Sequence, residues 1–253
     1  MRLRNSYLYQ LKGSLKPITI FYSIFILLTV VSSISAFFAK DSIFQMSGWD
    51  FGILIFMFIM GCACFNEDFP MHLQNSVSRK TYFTAKLLSV FSSSAIMTAF
   101  YAAFTLLIHW IFQYLLSNFT VFEITSVFEM LYFGGEGIFS FSMYLWTALL
   151  IFTSAVFVNM LGMFISGVFY RTGKLTRILL AAGIPLFFIM IFPMVDYTFF
   201  GGTLYAEVFK FIGNVFGIFE KTPWKATVSF GVLFAVSTVA AWLVIRKAPI
   251  KNK

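Results

Sequence analysis

Long apolar runs alternate with short polar links along the chain, and the polar island at residues 66 to 88 (NEDFPMHLQNSVSRKTYFTAKLL) stands between two of those runs. A run of about 20 mainly apolar residues crosses a bilayer as a helix. The pattern predicts six spans, at about residues 17–38, 49–66, 87–116, 139–169, 178–195 and 224–245. The expected fold is all-α and integral to the membrane, a single transmembrane domain over residues 1–253. The third run would rise about 45 Å, so it must tilt or project beyond the hydrocarbon core.

Between the spans the pattern changes character. Residues 1–16 carry Arg2, Arg4, Lys12 and Lys16 against Leu3, Tyr7, Leu8, Leu11 and Leu15 at helical spacing, which predicts a basic amphipathic helix on the membrane surface. Pro17 then opens the first span, where a helix tolerates proline. Ser33 and Ser35 resemble a signal-cleavage pattern, but the run continues through Phe37 and Phe38 and is long enough to span, so it is expected to stay. Residues 117–138 read as a loop or short helix holding Glu123, Glu129 and Glu136. Pro185 and Pro193 predict a kink or break in the fifth span, its freed carbonyls satisfied by neighbouring helices. Beyond it, Gly201, Gly202, Gly213 and Gly217 punctuate a region where Leu204, Val208, Phe211, Val215 and Phe219 recur at helical spacing. That region reads as a short amphipathic or re-entrant helical hairpin before the last span.

Composition agrees: 60% of residues are hydrophobic and 11% charged, against about 25% charged in soluble domains. A soluble enzyme domain is excluded. In a soluble protein the net charge of +8 would suggest nucleic acid, but here its distribution over the links matters more. Fourteen of the 18 Lys and Arg residues fall on the side that carries both termini, the island and the 170–177 link. Only Lys40, Lys210, Lys221 and Lys225 fall on the other, together with every acidic residue except Glu67 and Asp68. The positive-inside rule therefore predicts cytoplasmic termini and a cytoplasmic island.

Candidate chemistry is sparse. Cys62 and Cys64 lie too close for an ordinary structural disulfide and read as small apolar residues; with His72 they match zinc spacing poorly, and no metal is expected. Gly173-Lys174 fails as a phosphate-binding loop, because Val168 stands where the upstream glycine belongs and Leu175 follows the lysine. No span holds an acid or base at its centre, which argues against a proton-coupled pump. Asn159 reads as a helix-to-helix hydrogen bond. No catalytic residue, cofactor or nucleic-acid partner is expected, and any ATPase activity belongs to another chain.

The island supplies a resemblance. Glu67 at the end of the second span, the segment Phe69 to Ser76, the pair Ser78-Arg79 and Lys86 opening the third span resemble the permease subunits of type-2 ATP-binding-cassette (ABC) exporters, in the style of small Gram-positive peptide-export and immunity permeases. The basic amino-terminal helix, the six spans and the glycine-rich outer hairpin extend the likeness over the chain. Where many members carry Asn-Gly-Thr or Leu-Pro in this loop, the sequence runs Gln74-Asn75-Ser76-Val77-Ser78. The resemblance implies a coupling helix seated in a groove of a separate ATPase subunit, present in two copies. Phe69, Met71, Leu73 and Val77 would give the apolar contact, with Glu67, His72, Gln74, Asn75, Ser78, Arg79 and Lys80 around it and Arg171 and Lys174 on the neighbouring link. It also implies a second permease subunit, identical or different, a hydrophobic or amphipathic substrate such as a peptide, toxin or antibiotic, and a place among the lipids of the bacterial plasma membrane. The alternative is a membrane sensor or assembly protein whose island recruits some other cytoplasmic partner.

Overall fold

Backbone N–H and C=O groups find no water in lipid, so apolar runs of this length close their hydrogen bonds within helices. The computed structural model describes residues 2–38, 44–65, 68–114, 122–134 and 140–248. Among them the helices are α1 (Arg2–Phe38), α2 (Trp49–Ala63), α3 (Asp68–Gln74), α4 (Arg79–Tyr114), α5 (Val127–Phe133), α6 (Phe141–Arg171), α7 (Lys174–Leu186), α8 (Phe192–Phe200), α9 (Thr203–Val215) and α10 (Pro223–Arg246). Six stretches are long and apolar enough to cross a membrane: Leu3–Ser35, Trp49–Gln74, Arg79–Ile111, Phe141–Arg171, Lys174–Phe200 and Pro223–Arg246.

The long helix α6 is the centre of the packing. Half of its apolar window is buried, the largest share among the six stretches. Glycine makes its closest crossing possible: a Cβ on Gly61 of α2 would collide with the Asn159 carbonyl, and one on Gly162 would collide with the Phe58 carbonyl. Two bonds hold that crossing, Ser166 Oγ donating to the Cys62 carbonyl at 2.6 Å and Cys62 Sγ to the Gly162 carbonyl at 3.5 Å. Asn159 itself is buried, but its amide oxygen has no partner, so that oxygen does not make the expected interhelix bond.

Two apolar clusters fill the bundle. One gathers Phe25, Ile53, Met57, Met97, Tyr101 and Leu150; the other gathers Phe65, Phe69, Tyr82, Met160, Met163 and Ile245 near the island. Alongside, α1 and α4 run in the same direction, Tyr7 meeting Ser92 at 2.8 Å, Tyr22 donating to the Met97 carbonyl at 2.5 Å and Phe25 packing on Phe104.

The amino-terminal segment departs from expectation. Residues 2–16 are not a separate helix, because α1 continues through Pro17 without a break. Proline costs the helix one hydrogen bond, that to the Gly13 carbonyl, but its fixed φ is helical and α4 supports the helix on either side. On this stretch Ser6, Gln10 and Ser14 are buried against the bundle, while Leu3, Leu8 and Leu15 are exposed.

At the end of the bundle away from the island, strands β1 (Phe44–Ser47) and β2 (Phe122–Thr125) pair in parallel, Phe44 opposite Phe122 and Ser47 opposite Thr125. Ser126 then caps α5 in a reciprocal capping box with Glu129. The buried Asp50 carboxylate at the start of α2 accepts from Ser126 Oγ at 2.9 Å and from the Phe128 N–H at 3.3 Å. The fifth span is α7, a π-helical stretch at Phe187–Ile191 and α8; the helical backbone runs on through Pro185, and its irregularity is the π-helical stretch that begins two residues later. Gly201 and Gly202 take left-handed φ values of 63° and 82° and turn the chain into α9. Buried Asp196 accepts from the Leu204 and Tyr205 N–H groups at 3.1 and 2.7 Å, a carboxylate at the positive end of α9.

Candidate functional site: the α3–α4 corner

The island folds into α3, a tight turn and the first two turns of α4, and local chemistry explains each boundary. Helix α3 ends in a Schellman motif: the Val77 N–H bonds to the His72 carbonyl at 3.0 Å and the Ser76 N–H to the Leu73 carbonyl at 3.1 Å. Ser76 takes a left-handed φ of 57°, the place usually given to glycine. Two residues later, Ser78 Oγ accepts from the Thr81 N–H at 3.2 Å, the geometry of a helix N-cap, and so begins α4.

Helix α3 is locked to the bundle from inside. Phe69 is fully buried, its ring 5.0 Å from Phe65, 5.4 Å from Tyr82 and 6.0 Å from Tyr170. His72 is buried between Tyr9 at 5.5 Å and Tyr82 at 5.2 Å, with Nδ1 bonded to the Asp68 carbonyl at 2.7 Å. One short helix thereby touches α1, α4 and α6. Lys86, also buried, brings Nζ to within 4.0 Å of the Asp68 carboxylate, which remains partly open to solvent.

Arg79 is committed within the chain too. Its guanidinium donates to the Arg246 carbonyl at 2.6 Å and to the Ala248 carbonyl at 2.9 Å. These carbonyls sit at the end of α10, where orphan acceptors and the negative end of the helix dipole favour a cation. The corner is thus tied to the last span as well.

Placement divides the expected partner contacts. Gln74, Asn75, Ser78 and Lys80 are exposed, as are Arg171 and Lys174 on the α6–α7 link, which adjoins α3 through Tyr170. Met71, Leu73 and Val77 are half-buried, the latter two against the chain's own core. Phe69 and His72, expected to face a partner, face inward instead, because Tyr82 and Tyr170 offer an aromatic niche that water would not. Arg79 is likewise redirected, from rim contact to helix cap. Glu67 lies outside the described residues. The residues the sequence reading missed in this role are Tyr9, Tyr82, Tyr170 and Asp68; the only signal for the three tyrosines was that each stands within the first or last few turns of a long helix.

The two cysteines stand free, Cys64 buried beside Phe65 and Cys62 bonded to α6. Among the described residues no group of three His, Cys, Asp or Glu side chains is placed to hold a metal ion. Comparison with known proteins returns no matching family model, no matching curated protein and no matching solved structure.

Proposed function

We propose that this chain is the permease subunit of a type-2 ABC exporter, with α3 as its coupling helix and a separate ATPase seated on the exposed edge of the α3–α4 corner. The observation that carries the reading is the two-sided character of α3. Its inner face is anchored to three long helices through Tyr9, Tyr82 and Tyr170, while Gln74 at its end, Asn75 in the turn and Lys80 on α4 form an edge open to solvent. A short helix held this way moves as a rigid piece, so a push on its polar edge reaches α1, α4 and α6 together. A merely solvated loop would not need that anchoring.

In this reading two ATPase chains close on ATP and drive two permease chains, identical or different, between states. The cargo is a hydrophobic or amphipathic molecule leaving through the bundle or its lipid-facing side, and the termini and the corner lie in the cytoplasm of a bacterial cell. The chain itself performs no hydrolysis.

The test is co-purification with a Walker-type ATPase encoded beside this chain, followed by substitution of the exposed edge alone, Gln74→Asp with Lys80→Glu. The expected result is a stable complex that the double substitution dissolves without lowering the permease's own melting temperature. A wild-type chain that captures a partner with no nucleotide-binding motif would overturn the reading in favour of a sensor or assembly role.

A further inference from the structure

A groove of about 610 Å³ runs along the outer face of α1 against Phe56 of α2. Its lining changes chemistry from one end to the other. Lys12 and Lys16, one helical turn apart, mark the polar end; Ile20, Phe21 and Ile24 continue on the same face of the helix and are apolar. From Lys16 to the end of α1 at Phe38 the helix rises about 33 Å, close to the thickness of a hydrocarbon core. The lysines therefore stand at headgroup depth and the isoleucines at acyl-chain depth.

We propose that this groove is a binding site for one anionic glycerophospholipid, its phosphate held between Lys12 and Lys16 and an acyl chain laid over Ile20, Ile24 and Phe56. Charge selects the occupant. Residues 2–38 contain no acidic side chain, and among the described residues neither lysine has an ion-pair partner. A zwitterionic lipid would bring a cation into that field, whereas an anionic one brings only the missing negative charge. The backbone adds a further feature, since Pro17 has no N–H to give the Gly13 carbonyl and both residues line the groove. That spare acceptor suits a headgroup bearing hydroxyls, such as phosphatidylglycerol. Gly13 also keeps the groove open, as a Cβ there would meet no atom within 4 Å. The site stands independently of the exporter reading, because none of its residues belongs to the α3–α4 corner.

The experiment is native mass spectrometry of the full chain released from mixed micelles holding equal phosphatidylglycerol and phosphatidylcholine. Wild type is expected to retain phosphatidylglycerol in excess. Replacing Lys12→Gln and Lys16→Gln together should weaken its retention about 25-fold, two lysines at about 1 kcal/mol each and 1.4 kcal/mol per decade. Gly13→Leu keeps both charges but fills the groove, and it should weaken retention as well; a Cβ at this position meets no atom within 4 Å, and an unchanged melting temperature checks that the fold is kept. Equal retention of the two lipids by wild type would overturn the site. So would a Gly13→Leu chain that binds like wild type, since surface charge would then suffice, or displacement of the lipid by millimolar inorganic phosphate, which would make it a free-anion site.

Discussion

Arg79 and Lys80 are adjacent cations at the start of α4, and their sequence gives no reason to treat them differently. The fold separates them: the Arg79 guanidinium caps the carbonyls of Arg246 and Ala248, and the Lys80 side chain is exposed. Hydrogen bonds from a charged donor are worth about 1.5–3 kcal/mol, reduced here toward about 1–2 kcal/mol because the pair is partly solvated. Arg79→Gln should therefore lower the melting temperature by several degrees and speed amide exchange at the end of α10. Lys80→Gln should leave both unchanged and act only on partner docking. Equal melting of the two variants would mean that the cap contributes nothing. This division was not legible in the sequence, because the capped carbonyl lies 167 positions away from the arginine that caps it. The polar character of the corner was legible, but the start of α4 at Arg79 was not, because the apolar run that marks the third span opens only at residue 87. The inward turn of Phe69 and His72 was not, since a seven-residue helix carries too few positions to reveal which face is buried.

At the scale of elements, apolar run length alone located the long helices, because the backbone's need for internal hydrogen bonds leaves a lipid-embedded run no alternative. It did not reveal β1 and β2, four residues each with partners 78 positions apart, Phe44 opposite Phe122, whose pairing depends on the bundle bringing them together. Nor did it reveal how α5 is held. Burial is the main influence on the Glu129 carboxyl and raises it above its ordinary value of 4.5; the Ser126 N–H bond opposes that shift and the nearby Asp50 carboxylate adds to it. The folded chain therefore binds this proton more tightly than the unfolded chain does. The stabilisation is fully present below the ordinary value and is lost as pH rises through the raised one. Helix α5 should be docked more firmly near about pH 5 than near about pH 8, measured as amide exchange over residues 127–133 corrected for the intrinsic rate. Glu129→Gln retains the reach of a capping box but has no proton to lose, so its protection should be flat across that range. A wild-type profile as flat as the variant's would remove Glu129 from the account.

For the whole molecule, the fifth span is the least covered of the six apolar stretches. None of its apolar window is buried, whereas the other five stretches bury between 17% and 50% of theirs. Lipid would cover the side chains without cost, but the backbone is less easily left to lipid. Pro185 gives no N–H to the Ala181 carbonyl, and the π-helical stretch at Phe187–Ile191 widens the helix just beyond it. Irregular backbone at membrane depth is tolerated where protein or water satisfies it. A permease that works in pairs, as proposed above, would place a second permease chain here. Ile184, half exposed and beside the proline, is the position to probe. In a chain with Cys62→Ser and Cys64→Ala, Ile184→Cys should form an oxidative cross-link in native membranes, giving a product with the mass of two permease chains. Ile55→Cys, equally open but on α2, should not. If the two positions cross-link alike, the contact is collision in the bilayer; if neither does, the fifth span faces lipid and the paired reading loses its interface. Cross-linking at Ile184 alone would put this π-helical span at the seam between two subunits, where a push delivered through α3, α6 and the α6–α7 link could change how they meet.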